Sequence, residues 1–252
     1  MLVQSQRSRH EDGDAVSLTY VRPEKANALA PEGIKELTDH FASLAVDPNL
    51  RCVVFTGAGK KSFIAGADIG TLASLDPDSA RSFITSLHEL FLSIRQLPVP
   101  VIARINGHCL GAGMELAAAC DIRIASGNAT FGMPEVRVGI PSVVEAALLP
   151  RLIGRGRAAH LVLTGETIDA VTAHAWGFTE KLVSEDGLDA AVAETVNAIW
   201  SAGPSAVRTQ KKLLAAWDDL ALDDAIAHSI NVFAKSYETD EPSRMMQPLL
   251  KS

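Results

Sequence analysis

Two short apolar runs in the first half of the chain are each followed by a turn that contains glycine, and this repeated arrangement constrains the fold more than any other feature. RCVVFT (51–56) precedes SFIAGADIG (62–70), and VPVIARI (99–105) precedes NGHCLGAGMEL (106–116). Apolar, β-branched runs of this length predict covered strands. Glycine in the turns lets another backbone or a ligand approach closely. Each turn taken alone is better explained by a helix that packs tightly on a sheet.

Strand-like and helix-like segments alternate through this half of the chain. The predicted elements are a strand at 14–20, a helix from Pro31, a helix from an N-cap at Asp76, a small-residue helix at 111–119 and a strand at 121–126. Beyond about residue 142 the pattern is almost entirely helical. This succession predicts an α/β fold of ββα or βαβ units, as one domain with a helical appendage.

The acidic balance of the chain argues against a nucleic-acid partner. Its 252 residues carry a formal net charge of -7, and no run of Lys and Arg exceeds two adjacent residues. Binding to a phosphate backbone needs a broad basic surface. We therefore predict no nucleic-acid partner, and a polyanionic small ligand would need a local basic pocket.

The cysteine and histidine spacings favour neither a disulfide framework nor a metal site. Cys52, Cys109 and Cys120 form an odd set without a C-x-x-C pair, and the seven histidines include no H-x-x-x-H pair. We expect the three thiols to be reduced and buried, and no metal to be bound.

The N-terminal segment and the hydropathy of the chain predict a cytoplasmic protein without a membrane partner. The segment MLVQSQRSRHEDGDAV carries acids early and has no continuous apolar stretch, which argues against a secretory signal. No stretch of the sequence is long and apolar enough to span a bilayer. A cleaved organellar presequence is the less favoured alternative.

Three familiar functional motifs are incomplete, out of context or absent in this sequence. GAGKKS (57–62) lacks the earlier glycine of a phosphate loop, because Val54 stands in its place. GRGRAA (154–159) follows a helical pattern rather than a strand, so a turn between helices explains it better than a dinucleotide site. No G-x-S-x-G is present, so the usual serine-hydrolase elbow is excluded.

The second glycine turn leads directly into a helix, and this makes its N-terminus a candidate oxyanion site. The first N–H groups of a helix have no partner within it and carry partial positive charge. Glu115 lies three residues after Ala112, on the same helix face, and LAAAC follows it. A buried acid in such a setting favours a functional role. A surface glutamate on an amphipathic helix is an equally good explanation from the residues alone.

Two further acids follow in the chain. Glu135 lies in FGMPEVRVGIPS and is a candidate general acid, although a plain surface turn is the commoner explanation. Ser142 and Glu145 have the spacing of a capping box, so we predict that Glu145 caps the next helix rather than taking part in catalysis.

Taken together, these segments resemble the crotonase superfamily, the enoyl-CoA hydratase/isomerase family, over most of the chain. The order and spacing of five strings make the resemblance highly specific. They are RPEKANAL (22–29), FIAGADI (63–69), INGHCLGAGMELAAACDIRIAS (105–126), ATFGMPEVRVGIP (129–141) and SYETDEPS (236–243).

The resemblance implies an α/β fold, a spiral of ββα units followed by a C-terminal helical trimerisation region. Residues 1–190 would form the spiral core with the CoA and catalytic site, and residues 191–252 the helical region. A homotrimer, or a homohexamer of paired trimers, would follow.

The resemblance also implies the residues of the site. The N–H groups of Ala67 and Ala112 would form the oxyanion hole, although the family usually has glycine at the second position. Glu115 would hold and activate water, and Glu135 would transfer a proton at Cα. The residues that would line the CoA path are Lys25, Ala26, Ala28, Ala65, Asp68 and Ile69.

Both acids of the family's hydratases are present, whereas its isomerases commonly keep only the second, so we predict hydration of a 2-enoyl-CoA. Coenzyme A would be part of the substrate, and no cofactor is expected. An isomerase or another crotonase-type lyase is the alternative, and an RNA-binding or non-catalytic member is less favoured. One departure leaves acyl length and reaction type open: after GIP, the chain has SVVEAALLPRLIG (142–154) where the hydratases commonly have a glycine-rich stretch.

Overall fold

The computed structural model describes residues 1–11 and 13–250, which form two sheets surrounded by helices. The strands are β1 (Val3–His10), β2 (Gly13–Tyr20), β3 (Leu50–Gly57), β4 (Ser62–Ala65), β5 (Val101–Ile105), β6 (His108–Leu110), β7 (Ile122–Ser126), β8 (Thr130–Gly132), β9 (Thr167–Asp169) and β10 (Lys181–Val183). The α-helices are α1 (Pro31–Ala45), α2 (Ile69–Ala73), α3 (Pro77–Gln96), α4 (Ala112–Ala119), α5 (Leu149–Ile153), α6 (Arg155–Thr164), α7 (Ala170–Ala175), α8 (Leu188–Trp200), α9 (Pro204–Asp219), α10 (Leu222–Ser236) and α11 (Glu241–Met246). Short 3-10 helices cover Pro23–Lys25, Pro134–Val138, Val144–Leu148, Glu185–Gly187 and Gln247–Leu250. Across these described residues, no helix is both long enough and apolar enough to cross a membrane.

From β3 to β8, successive strands alternate between the two sheets. The larger sheet has the order β1-β2-β3-β5-β7-β10, and the smaller sheet has the order β4-β6-β8-β9. The pairs β3/β4, β5/β6 and β7/β8 therefore each give their first strand to the larger sheet and their second to the smaller one. Neighbouring strands are parallel except in the pairs β1–β2 and β8–β9. This alternation is the ββα spiral that the family resemblance implies, so the predicted α/β spiral core is confirmed.

The strands and helices predicted for the first half of the chain are present for the expected reasons. Every residue of β3 except Thr56 is buried, as an apolar strand covered on both faces requires. At the start of α3, the Asp76 carboxylate accepts the N–H of Ser79 at 2.8 Å, and the Asp76 N–H donates to Ser79 Oγ at 2.8 Å. This reciprocal cap fixes the first turn of α3. The apolar face of α3 is buried through Phe83, Leu87, Leu90, Phe91 and Ile94.

Helix α4 packs into the interior with unusually small side chains. All eight of its residues are buried, including Glu115. A Cβ added at Gly113 would collide with the backbone carbonyl oxygen of Ile64 in β4. Glycine at position 113 therefore allows α4 to approach the strand that precedes the first glycine turn.

The second half of the chain is less uniformly helical than its pattern predicts, because β9 and β10 interrupt it. Each has only three residues, too few for a strand periodicity to be recognised. Their positions are set by pairing, β9 with β8 and β10 with β7. Further along, α9 is joined to the core by the buried Lys211, whose ammonium donates to the carbonyls of Ile94 and Val99 and to Asp121 at 2.7–3.2 Å.

The contact between α4 and β4 predicts that Gly113→Ala destabilises the protein by about 1–3 kcal/mol, because the added methyl group must displace backbone. Urea unfolding followed by circular dichroism measures the change. Gly156→Ala is the matched control, since Gly156 also lies in a helix but has open space around it. At position 156 the higher helix propensity of alanine should stabilise the protein by up to ~1 kcal/mol. Equal free energies of unfolding for wild type and Gly113→Ala would contradict the packing argument.

Candidate active site

One large cavity brings together most of the predicted site residues. It has a volume of about 800 Å³ and lies between the two glycine turns and helices α2 and α3. The predicted residues that line it are Ala65, Ala67, Ile69, Ala112, Glu115 and Glu135. The other predicted CoA residues, Lys25, Ala26, Ala28 and Asp68, are not among its lining residues.

The register of the smaller sheet explains why the two turns meet. β4 and β6 are parallel neighbours, and Ala65 pairs with Leu110. Ala67 and Ala112 each lie two residues beyond this pair, so they leave the sheet at the same end. Two residues that are 45 positions apart in the chain thus become neighbours at the edge of one cavity.

The Ala67 N–H is not used by the backbone pairing around it. Ala67 forms an isolated parallel bridge with Leu29. The hydrogen bonds of this bridge run from the Leu29 N–H to the Gly66 carbonyl and from the Asp68 N–H to the Leu29 carbonyl, both at 2.9 Å. The Ala67 N–H takes part in neither bond. Gly66, with φ +93°, supplies the left-handed backbone conformation of this turn.

The Ala112 N–H is free of helical pairing because Ala112 is the first residue of α4. The preceding Gly111 has φ +52°, a conformation that favours glycine, and its N–H donates to the Gly132 carbonyl at 2.9 Å. The Gly111 carbonyl accepts from Met114 and Glu115. The turn is therefore held on both sides, and alanine at position 112 retains the N–H that the oxyanion site needs.

Glu115 is buried, with only 4% of its surface exposed. Burial raises the pKa of its carboxyl well above the usual range, and the nearby carboxyls of Glu135 and Glu145 raise it further. Hydrogen bonds from the backbone of Ala146 and Val143 act on the pKa in the opposite direction. The surface explanation for Glu115 is thus wrong, and the carboxyl is protonated over a wider pH range than an exposed glutamate.

Glu135 lies on the short helix Pro134–Val138 and is only partly buried. Ser142 Oγ donates a hydrogen bond to Glu135 Oε2 at 2.7 Å. A Cβ at Gly111 would collide with Glu135 Oε1, so the absence of a side chain there lets the carboxyl lie directly against the turn that opens α4. Glu135 therefore reaches the N-terminus of α4 from a separate segment, whereas Glu115 belongs to α4 itself.

The segment with Lys25, Ala26 and Ala28 is joined to the cavity wall by backbone hydrogen bonds. The Ala65 N–H donates to the Ala26 carbonyl at 3.2 Å, and Lys25 is exposed. The Asp68 carboxylate caps α2 through the Thr71 N–H and forms an ion pair with Arg22 at 2.7 Å, and these two contacts lower its pKa. The side chain of Asp68 thus stabilises the structure of this wall.

Glu145 does not cap a helix, so the capping-box prediction is wrong. The 3-10 helix Val144–Leu148 begins without a side-chain cap, and Ser142 binds Glu135 instead. Glu145 is turned inward with 3% of its surface exposed, and its Oε1 lies 3.0 Å from Nδ1 of His88. The pairing of residues 57 positions apart has no local sequence signal, which is why sequence reasoning missed His88.

The raised pKa of Glu115 predicts that Glu115→Gln stabilises the protein at neutral pH, by roughly 1–3 kcal/mol. The folded-state pKa lies above the unfolded one, so the folded state binds the proton more tightly, and wild-type stability falls as pH rises from the unfolded pKa towards the folded one. The stabilisation by glutamine should therefore grow from acid to neutral pH. Urea unfolding from pH 4 to pH 8 measures it, with the exposed Glu32→Gln as control. A gain that does not depend on pH would contradict the assigned burial cost.

Comparison with known proteins agrees with this fold and shows the family of the chain. A model of the enoyl-CoA hydratase/isomerase family matches residues 12–248. The chain is 35% identical over 242 residues to the short-chain-enoyl-CoA hydratase of Clostridium acetobutylicum, covering 96% of this chain and 93% of that protein. It is 35% identical over 243 residues to the crotonyl-CoA hydratase of Syntrophomonas wolfei, covering 96% and 94%. The crystal structure of an enoyl-CoA hydratase from Bacillus anthracis superimposes with a TM-score of 0.93 at 31% identity, covering 100% of this chain and 96% of that one. Since these matches extend over nearly all of each chain, the protein belongs to the enoyl-CoA hydratase/isomerase family of enzymes.

Proposed function

We propose that this enzyme adds water across the 2,3 double bond of a 2-enoyl-CoA through an enolate that its backbone stabilises. The proposal depends on one observation: two acids, Glu115 and Glu135, line the same cavity as Ala67 and Ala112, whose N–H groups can bind an oxyanion. The similarity to proteins named short-chain-enoyl-CoA hydratase and crotonyl-CoA hydratase supports it.

The two N–H groups bind the thioester oxygen in the proposed reaction. Attack of water on C3 moves negative charge onto this oxygen, and donors that are already in place stabilise the charge. Removing one such donor typically costs on the order of 3–4 kcal/mol. Ala67 and Ala112 are suited to this task because neither N–H is consumed by the pairing of its own segment.

The two acids divide the remaining work. Glu115 holds the water by hydrogen bonds, and burial raises the pKa of its carboxyl. Glu135 accepts a proton from this water as the water oxygen bonds to C3, and then delivers the proton to C2, so that it ends the cycle as a carboxylate. Water is consumed and no electron transfer occurs. The reaction therefore uses the carboxyls and amides of the chain, with coenzyme A as part of the substrate.

The CoA portion is proposed to follow the wall that leads away from Ala67. Ala65 and Ile69 line the cavity, and Ala26 is hydrogen-bonded to Ala65. Ala28 and Asp68 belong to the same wall, and Lys25 is exposed there, where its ammonium can meet a phosphate.

Glu115→Gln and Glu135→Gln are each expected to lower kcat for hydration of crotonyl-CoA by roughly 10²–10⁴-fold, the usual contribution of a positioned acid or base. The loss of enoyl-thioester absorbance measures the rate, and calorimetry with a non-reactive acyl-CoA should show nearly unchanged binding. Glu32→Gln, an exposed glutamate outside the cavity, is the control.

An unchanged rate in either cavity variant would refute the role assigned to that residue. A wild-type enzyme that leaves crotonyl-CoA unreacted but converts a 3-enoyl-CoA would show an isomerase instead.

We propose that residues 191–252 form the helical region of the protein. We also propose that the chain self-associates through this region. α9, α10 and the turn between them expose an apolar face, which consists of Trp217, Leu220, Leu222, Ile226, Ile230 and Phe233. A contiguous apolar face of this kind marks an interaction surface. We propose that other copies of the chain cover it in a homotrimer or a homohexamer, and that residues 1–190 form the catalytic core.

Light scattering coupled to size-exclusion chromatography is expected to give three or six times the mass of one chain. Ile230→Glu should shift the population to smaller species, because a charge would be buried in the interface. Val46→Glu, at an exposed apolar residue that directly follows α1 and is distant in sequence, should leave the mass unchanged. A monomeric wild-type protein at micromolar concentration would overturn this proposal.

A further inference from the structure

Glu135 is held in place by the chain segment that follows it. Ser142 Oγ donates a hydrogen bond to Glu135 Oε2 at 2.7 Å. Across the residues that the structure describes, this is the one hydrogen bond that fixes the Glu135 carboxyl. The Glu135 main-chain carbonyl accepts the Ile140 N–H at 3.2 Å, which closes a loop over the same residues. The main chain and the side chain of Glu135 are therefore both bound to residues 140–142.

The two carboxyl oxygens of Glu135 have different surroundings. Oε2 is bound to Ser142, which is not among the described residues that line the cavity. Oε1 lies so close to Gly111 that a Cβ there would collide with it, and Gly111 directly precedes Ala112. Oε1 accepts no hydrogen bond from the described part of the chain. One oxygen is thus held from behind the cavity, and the other lies free beside the proposed oxyanion site.

Ser142 is itself fixed from both sides. Pro141 precedes it, and the proline ring restricts the backbone there. Glu145, three residues further on, is buried, and its Oε1 lies 3.0 Å from Nδ1 of His88 on α3. Between them, Val144 has φ +41°, a costly left-handed conformation for a β-branched residue. Such strain persists only where the surrounding structure enforces it, so the segment after Ser142 is anchored to α3.

A glutamate needs a contact of this kind if it is to transfer a proton efficiently. The terminal torsion of a glutamate side chain is broad, so the carboxyl has no single preferred orientation of its own. Proton transfer requires heavy atoms within about 2.6–3.2 Å of each other, and a displacement of about 1 Å can lower a rate by ~10²-fold. A hydroxyl that donates to a carboxylate forms one of the stronger hydrogen bonds in proteins. A fixed donor at Oε2 therefore determines where Oε1 lies.

We propose that Ser142 is a positioning residue for Glu135: its hydroxyl holds Oε2, so that Oε1 is the oxygen that takes up and delivers the proton. Oε1 accepts a proton from water as the water oxygen bonds to C3, and the Oε1–H bond breaks as the C2–H bond forms. The Ser142 proton stays on Ser142. This inference rests on the proposed function for its catalytic consequence, whereas the orientation of the carboxyl is a property of the free protein.

The first test is the effect of Ser142→Ala on hydration of crotonyl-CoA. Loss of the hydroxyl should lower kcat by roughly 10–100-fold, because the Glu135 carboxyl is no longer held in one orientation. The KM and the affinity for a non-reactive acyl-CoA should be nearly unchanged, since Ser142 does not line the cavity. A wild-type kcat in this variant would overturn the proposal.

Ser142→Thr and Ser142→Val form a matched pair, because both add a branch at Cβ and only threonine keeps the hydroxyl. Ser142→Thr should retain most of the wild-type kcat, and Ser142→Val should be as slow as Ser142→Ala. The comparison separates the hydrogen bond from any change in packing, and it tests the proposal even if Ser142→Ala fails to fold. Equal kcat values in the threonine and valine variants would contradict the role of the hydroxyl.

Two further variants show whether Ser142 acts through Glu135. In a Glu135→Gln background, Ser142→Ala should lower the residual rate little further, because residues that act as a unit are not additive. A second loss as large as the first would place the action of Ser142 elsewhere and refute the proposal. Ser93→Ala is the control, since Ser93 is also partly buried and donates at 2.6 Å to the Leu90 carbonyl outside the cavity. Its kcat should match that of wild type.

The second test needs no substrate. Crystal structures of the free protein should show one orientation of the Glu135 carboxyl in wild type and Ser142→Thr, and a displaced or divided one in Ser142→Ala. The same orientation in all three would overturn the proposal. If the orientations follow the expected order while no 2-enoyl-CoA is hydrated, the positioning by Ser142 stands and the proposed function fails. If crotonyl-CoA is hydrated equally fast by wild type and Ser142→Ala, the proposed function stands and this inference fails.

Discussion

The close approach of α4 to β4 is the contact on which the site depends. β4 and β6 are joined in register at Ala65 and Leu110, and Gly113 lets the helix that follows β6 pack against the carbonyl of Ile64. A larger side chain at position 113 would separate the two turns, because protein interiors are close-packed and transmit displacement. The distance between the Ala67 and Ala112 amides is therefore a property of backbone packing, which substitutions at the cavity surface leave largely unchanged.

This packing also determines the environment of the acids. A helix made of small residues fits deep in the core, so a glutamate in its first turn is removed from water, and the pKa of Glu115 rises for that reason first. Glu135 reaches the same place from a short helix at the surface and accepts a hydrogen bond from Ser142. The two carboxyls face one cavity from different surroundings. Two carboxyls in different surroundings are suited to different parts of a reaction that both holds a water molecule and moves a proton.

The fold was largely predictable, because its features are local or repeated. The apolar strand β3, the cap at Asp76 and the small-residue helix α4 each have a signal within a few adjacent residues. The short strands β9 and β10 were missed because three residues carry no periodicity, and their pairing partners are remote in sequence. The residues proposed for the site came from the family resemblance, and six of the ten line the cavity. Their convergence depends on sheet register, which no local pattern encodes.

The prediction of a capping box at residues 142–145 was wrong for a physical reason. Ser142 and Glu145 have the right spacing, but a capping box needs both side chains to turn back to the backbone of the same helix. Here Ser142 donates a hydrogen bond to Glu135, and the positive φ of Val144 directs Glu145 into the interior, towards His88. A buried ion pair seldom adds net stability over apolar packing, and a strained valine adds a further cost. The fold therefore accepts two unfavourable features to hold the Glu145 carboxyl in the interior beside His88.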